Sequence, residues 1–122
     1  MARGPKGPFS AIKSADKPAP RNMAFEGTLC TAIRNHVLVT LKHDDDVAGR
    51  TFAPYVINKT TKGKIVVFGM QIDNASIPSQ RDNPHNFEIG KLRNVELTTV
   101  KFTVDPVFNI HDPRYRNRIC PI

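Results

Sequence analysis

Apolar residues recur along the chain with two different periods, and the periods divide it into elements. Between Met23 and Asn35, Ala24, Phe25, Leu29, Ala32 and Ile33 lie near i, i+4 and i+8. That spacing predicts a short amphipathic helix, weakened at Gly27. Val37, Val39 and Leu41 then alternate with other residues as far as Lys42, the period-two pattern of a strand with one buried face. Asp44 to Gly49 reads as a turn, and Arg50 to Ile57 as a second strand in which Pro54 requires an edge or a bulge. Asn58 to Gly63 makes the next hairpin turn, with Gly63 able to take a positive φ. Lys64 to Asp73 is the third strand. A long connection over Asn74–His85 follows, of the kind that often carries function. A short fourth strand at Asn86–Ile89, a tight or 3₁₀ turn at Gly90–Arg93 and a fifth strand at Val95–Phe102 complete the pattern.

One helix followed by five short strands predicts a mainly β fold. The expected architecture is a small five-stranded Sm/SH3-like barrel preceded by one short α-helix, with irregular N- and C-terminal arms. Residues 1–22 hold Pro5, Pro8, Pro18 and Pro20 with scattered Lys and Arg, which predicts a disordered basic arm. Only Phe9 and Ile12 could drape it over the domain. Residues 23–104 make the barrel domain, and residues 105–122 an irregular basic tail with Pro106, Pro113 and Pro121.

Charge sharpens this division. The 122 residues carry 18 Lys and Arg against 11 Asp and Glu, a formal net charge of +7. Residues 1–22 hold five bases and one acid, and residues 111–122 hold three arginines and Asp112. The body, 23–110, has ten bases and nine acids, so the excess sits on the two ends. Total charge therefore assigns no nucleic-acid function by itself. The longest apolar run, Ile65 to Met70, is far short of the roughly 20 residues of a membrane helix. No apolar stretch follows the N-terminal charges, so no secretory signal is expected, and the expected location is cytoplasmic. Cys30 and Cys120 are too few for a disulfide framework or a zinc cluster. Cys30 is expected to pack in the core as a small hydrophobe, and Cys120 to be incidental.

Catalytic chemistry finds no foothold. Asp44-Asp45-Asp46 lacks the spacing, central glycine and closing Glu of a calcium loop and reads as a solvated turn. Lys62-Gly63-Lys64 is a hairpin without Walker spacing, and no serine lies in a nucleophile elbow. No enzyme activity, cofactor or metal is expected. Among the four histidines, His85 at the end of the long connection is the best placed for function. Arg50, Arg81 and Lys91 would form a cationic pocket for an anion if they converge at one end of a barrel. Otherwise Arg50 pairs with Asp44–Asp46 across the hairpin and the others are solvated. Tyr55, Phe68, Phe87 and Tyr115 are the candidates for stacking on a base.

The order of features resembles a WYL domain. Ala32-Ile33-Arg34-Asn35-His36, a strand, and Arg50-x-x-x-Pro54-Tyr55 are similar to that family's opening. Gly63-Lys64 before the central strand, Gln71 at its end and Phe87-Glu88-Ile89-Gly90-Lys91-Leu92-x-x-Val95 continue the likeness, over roughly residues 29–104. The resemblance implies an Sm/SH3-like barrel with a helix before its first strand and a regulatory, ligand-sensing role. It carries over Arg50, Phe87 and Lys91 as ligand-binding positions. Where the family has its Trp-Tyr-Leu, this chain has Val66-Val67-Phe68-Gly69; His85 replaces an arginine, and Glu88 stands where a base is frequent.

Two functions follow from this reading. In the first, a regulatory or accessory binding module takes a nucleotide-like ligand or single-stranded nucleic acid at a basic barrel pocket. The residues assigned to it are Arg50, Tyr55, Arg81, His85, Phe87 and Lys91. In the second, a structural or interaction protein acts as a small homo-oligomer or accessory subunit with no ligand.

Overall fold

A computed structural model of the chain describes residues 17–44, 46–75 and 81–122. The expected disorder of the arm before Lys17, with Phe9 and Ile12, and the middle of the long connection, 76–80, lie outside these residues, as does Asp45.

Helix α1 spans Met23–Asn35. It begins where the Asn22 side chain accepts a hydrogen bond from the Phe25 amide at 3.0 Å, an N-cap that satisfies a donor the helix itself cannot. It ends at His36, which takes a left-handed conformation (φ 53°) and returns its N–H to the carbonyls of Ala32 and Ile33. Leu29, Ala32 and Ile33 are buried, as their spacing requires.

Six strands follow: β1 Val37–His43, β2 Arg50–Lys59, β3 Ile65–Asn74, β4 Asn83–Glu88, β5 Leu92–Lys101 and β6 Arg118–Cys120. All pair antiparallel in one sheet of order β4-β3-β2-β1-β5. β1 meets only Arg50–Phe52 of β2, and β6 takes up the same edge further on, at Ile57 and Asn58. Pro54 lies in the gap between these two partners, at a register shift against β3. The bulge expected there is present. Gly63 has φ 85°, as the hairpin demands. The 3₁₀ turn before β5 runs over Ile89–Lys91.

Several expectations are corrected. The sheet does not close into a five-stranded barrel: it is an open, six-stranded sheet. Helix α1 packs across β1, β2 and β5 and covers its inner face, so the core is sealed by a helix. β4 begins at Asn83 and shortens the long connection; as an edge strand it tolerates Pro84. Residues 17–22 pack against the domain. The Ala19 amide donates to Glu88 at 2.7 Å, and Arg21 grips the buried Glu26 at 2.6 and 3.0 Å.

Tail and cysteines also differ from expectation. β3 is apolar on both faces, with Ile65 and Val67 inward and Phe68, Met70 and Ile72 outward. A sheet apolar on both faces needs a second cover. The tail supplies it: Phe102, Val104, Phe108, Ile110 and Tyr115 pack over Ala53, Tyr55 and Val56. The tail then turns through a 3₁₀ segment, Pro113–Tyr115, into β6. There Cys120 enters the inner core and forms a disulfide with Cys30, 90 residues away. Neither cysteine is free, and Cys120 is far from incidental. Among the described residues, no helix is long and apolar enough to cross a membrane.

Candidate ligand-binding faces

Arg50 opens β2 and is held on three sides. Its Nε and Nη2 donate to the two carboxylate oxygens of Asp46 at 2.7 and 2.9 Å, and its Nη1 donates to Gln71 Oε1 at 2.9 Å. The guanidinium lies 5.3 Å from the centre of the Phe87 ring. His43 and His85 flank the same ring at 5.4 and 4.4 Å. The Arg50 hydrogen bonds hold the Asp46 carboxyl below the usual carboxylate range. Burial, with Arg50 and His43 nearby, pushes the His85 imidazole down.

This cluster braces one end of the sheet. The Arg50 charge is already matched by a carboxylate in bidentate geometry, and its side chain is only 11% exposed. Phe87 is 1% exposed and offers no face to a base. Of the two arrangements open to Arg50, the hairpin pairing is the one present, through Asp46.

The other assigned residues go elsewhere. Lys91 sits 3.8 Å from Glu88, a carboxylate that also accepts from Ala19. Arg81 lines a groove of about 330 Å³ with Asp73, Asn74 and Ala75. Arg50 and Lys91 thus each pair with a carboxylate, and Arg81 lines a separate groove with Asp73. Among the described residues no group of three or more His, Cys, Asp or Glu is placed to hold a metal.

Tyr55 belongs to the opposite, outer face. There Phe68 is the hub of an aromatic cluster, 5.9 Å from Phe108 in a stacked arrangement, 5.9 Å from Tyr115 and 6.2 Å from Tyr55. Two grooves flank it. One, of about 440 Å³, is walled by Asn58, Thr60, Thr61, Val66 and Asn86. The other, of about 220 Å³, is walled by Tyr55, Met70, Pro84 and Phe108 with the acids Asp105 and Asp112. Phe68, Arg114 and Tyr115 line both. Arg114 lies 5.8 Å over the Tyr115 ring and donates to Asp112 at 3.1 Å.

Phe68 and Tyr115 were legible as stacking candidates, whereas Arg114 and Phe108 were not. The available signal was the outward series Val66, Phe68, Met70 and Ile72 on β3, which calls for a cover that only the tail can provide.

No protein-family model matches the chain, and no curated protein or solved structure matches it.

Proposed function

We propose that this chain is a regulatory or accessory binding module for a nucleotide-like ligand, held on the outer face of the sheet. The observation that carries the reading is the sharing of Phe68, Arg114 and Tyr115 by two adjoining grooves. Phe68, partly exposed against the buried Tyr55 and Tyr115, with the exposed Arg114 guanidinium on the same grooves, suits a planar base that bears a phosphate. The face replaces the pocket expected around Arg50, whose side chain is only 11% exposed in its pair with Asp46, whereas Arg114, paired with Asp112, is 69% exposed. Of the residues assigned from sequence, Tyr55 alone carries over to it.

The fold supports this reading at one remove. A helix ahead of β1, the order β4-β3-β2-β1-β5 and a 3₁₀ turn before β5 favour a strongly bent Sm/SH3-like sheet, as the WYL resemblance implies. Isothermal titration of the full chain with thymidine monophosphate tests the function. Binding weakened by Arg114→Ala and unaffected by Arg50→Ala is the expected result. Equal or absent binding in the wild type and Arg114→Ala overturns it.

A second reading, self-association, is favoured by the open edge of β5. Leu97 and Val100 there are 47% and 56% exposed, and an exposed strand edge invites pairing. A sedimentation mass of a monomer rules it out.

A further inference from the structure

We propose that a gap in the edge of β2 is a second binding site, for a small apolar carboxylate of the fatty-acid class. The hydrocarbon chain lies in an apolar groove of about 400 Å³, and Arg34 holds the carboxylate. The site goes beyond the nucleotide reading and stands without it.

The groove is a product of the strand order. β2 parts from β1 after Phe52 and meets β6 only at Ile57, which leaves a stretch of its edge with no strand beside it. Pro54 falls in this stretch and has no N–H to leave unpaired there. Helix α1 and the tail border the gap, and Ile33, Pro54, Val104, Phe108 and Ile110 form its apolar wall. No described residue that lines it is acidic. A cleft of this size and lining suits a small ligand with an apolar body.

The polar groups of the groove lack partners. Arg34 lines it, is exposed, and among the described residues makes no hydrogen bond or ion pair, unlike Arg21, Arg50 and Arg114. Tyr55 also lines it and is only 7% exposed. Its phenol oxygen accepts from the Asp105 amide at 3.1 Å, while its own proton has no acceptor among the described residues. A buried donor left without an acceptor costs stability, and a ligand oxygen satisfies it. His36 brings a ring nitrogen to the same groove, with its ring edge-on to Phe102 at 5.7 Å.

These groups select an anion with few polar atoms. A guanidinium takes a carboxylate through two parallel hydrogen bonds. The C-terminal end of α1 by itself repels an anion, through the negative end of its dipole. Here that effect is offset. The His36 amide returns to the Ala32 and Ile33 carbonyls, and Lys101 Nζ donates to the Asn35 carbonyl at 2.9 Å, bringing a second cation to the helix end. Asp105 lines the smaller outer groove instead, and its Oδ1 accepts from the Val107 amide at 3.0 Å. The apolar wall has no donor or acceptor for the edges of a base, so the body of the ligand is hydrocarbon.

An amide chemical-shift titration of the full chain with octanoate tests the site. Saturable shifts are expected at Ile33, Arg34, Val104 and Ile110. Hexanoate should bind about tenfold more weakly, having two methylenes fewer to bury. 1-Octanol, which keeps the chain and lacks the charge, should also bind at least about tenfold more weakly. Arg34→Gln should weaken octanoate binding by the same factor and leave thymidine monophosphate binding unchanged, so the two sites fail separately. If 1-octanol binds as tightly as octanoate, or Arg34→Gln takes octanoate as the wild type does, the groove is an apolar surface only and the proposal falls. If N-acetylisoleucine, which stands for the end of a peptide, binds more tightly than octanoate, the carboxylate belongs to a protein terminus and the proposal falls. Octanoate shifts centred elsewhere, or none at millimolar concentration, overturn it as well.

Discussion

Asp46 and Arg50 meet through two parallel hydrogen bonds, and this one pairing removes the most conspicuous cation of the sequence from the list of free ligands. Arg50→Ala removes the guanidinium hydrogen bonds from Asp46 and Gln71 near the end of the sheet. A loss of about 2–4 kcal/mol in stability is expected in urea unfolding, with thymidine monophosphate affinity unchanged. A stable Arg50→Ala protein that no longer binds would restore the Arg50 pocket.

The same cluster sets a pH dependence. The Asp46 carboxyl is depressed, so its contribution is present above the unfolded value of about 3.9 and lost as pH falls below it. The His85 imidazole is also depressed: the folded state prefers it neutral, so stability declines as pH falls below the unfolded value of about 6.5. Thermal melts between about pH 8 and pH 5 should show the decline, and His85→Gln should flatten that part of the curve. An identical slope in the variant would remove His85 as its source.

The Cys30–Cys120 bond closes a loop of 90 residues around most of the domain. Cys120→Ser is expected to cost about 4–5 kcal/mol by the chain-entropy estimate for a loop of this length. Hydrogen exchange should show the tail from Phe102 onward losing protection under a dithiol reductant. Such bonds persist in oxidising compartments and are transient in reducing ones, so compartment would decide how firmly the tail covers the sheet. Equal protection in oxidised and reduced protein would show that packing alone holds it.

Two glycines predict opposite outcomes. A Cβ on Gly69 would stand 2.0 Å from the Ala53 carbonyl oxygen and 2.9 Å from the Phe52 ring, so Gly69→Ala should destabilise by about 3 kcal/mol. A Cβ on Gly27, in the exposed helix interior, meets nothing within 4 Å. Gly27→Ala should stabilise by up to about 1 kcal/mol. Chemical denaturation measures both, and the reverse order would contradict the packing described here.

How far the sequence could be read depended on range. Helix α1, the first three strands and the turn at Gly63 are local consequences of spacing and turn chemistry, and they lie where the periodicity predicts. Features made by residues far apart did not show. Cys30 and Cys120 look unrelated until β6 pairs with β2, and Arg114 looks solvated until the tail crosses Phe68. The three cations of the expected pocket show the same limit. Spacing leaves open whether Arg50, Arg81 and Lys91 converge, and the fold pairs Arg50 with Asp46 and Lys91 with Glu88 and sets Arg81 in a separate groove.

The most direct test of the central claim is an amide chemical-shift map of the isotope-labelled chain titrated with thymidine monophosphate. Shifts are predicted to concentrate at Thr60, Thr61, Phe68, Phe108, Arg114 and Tyr115, with Arg50, Phe87 and Lys91 unmoved. Shifts centred on Arg50, Phe87 and Lys91, with the outer face unmoved, would contradict it.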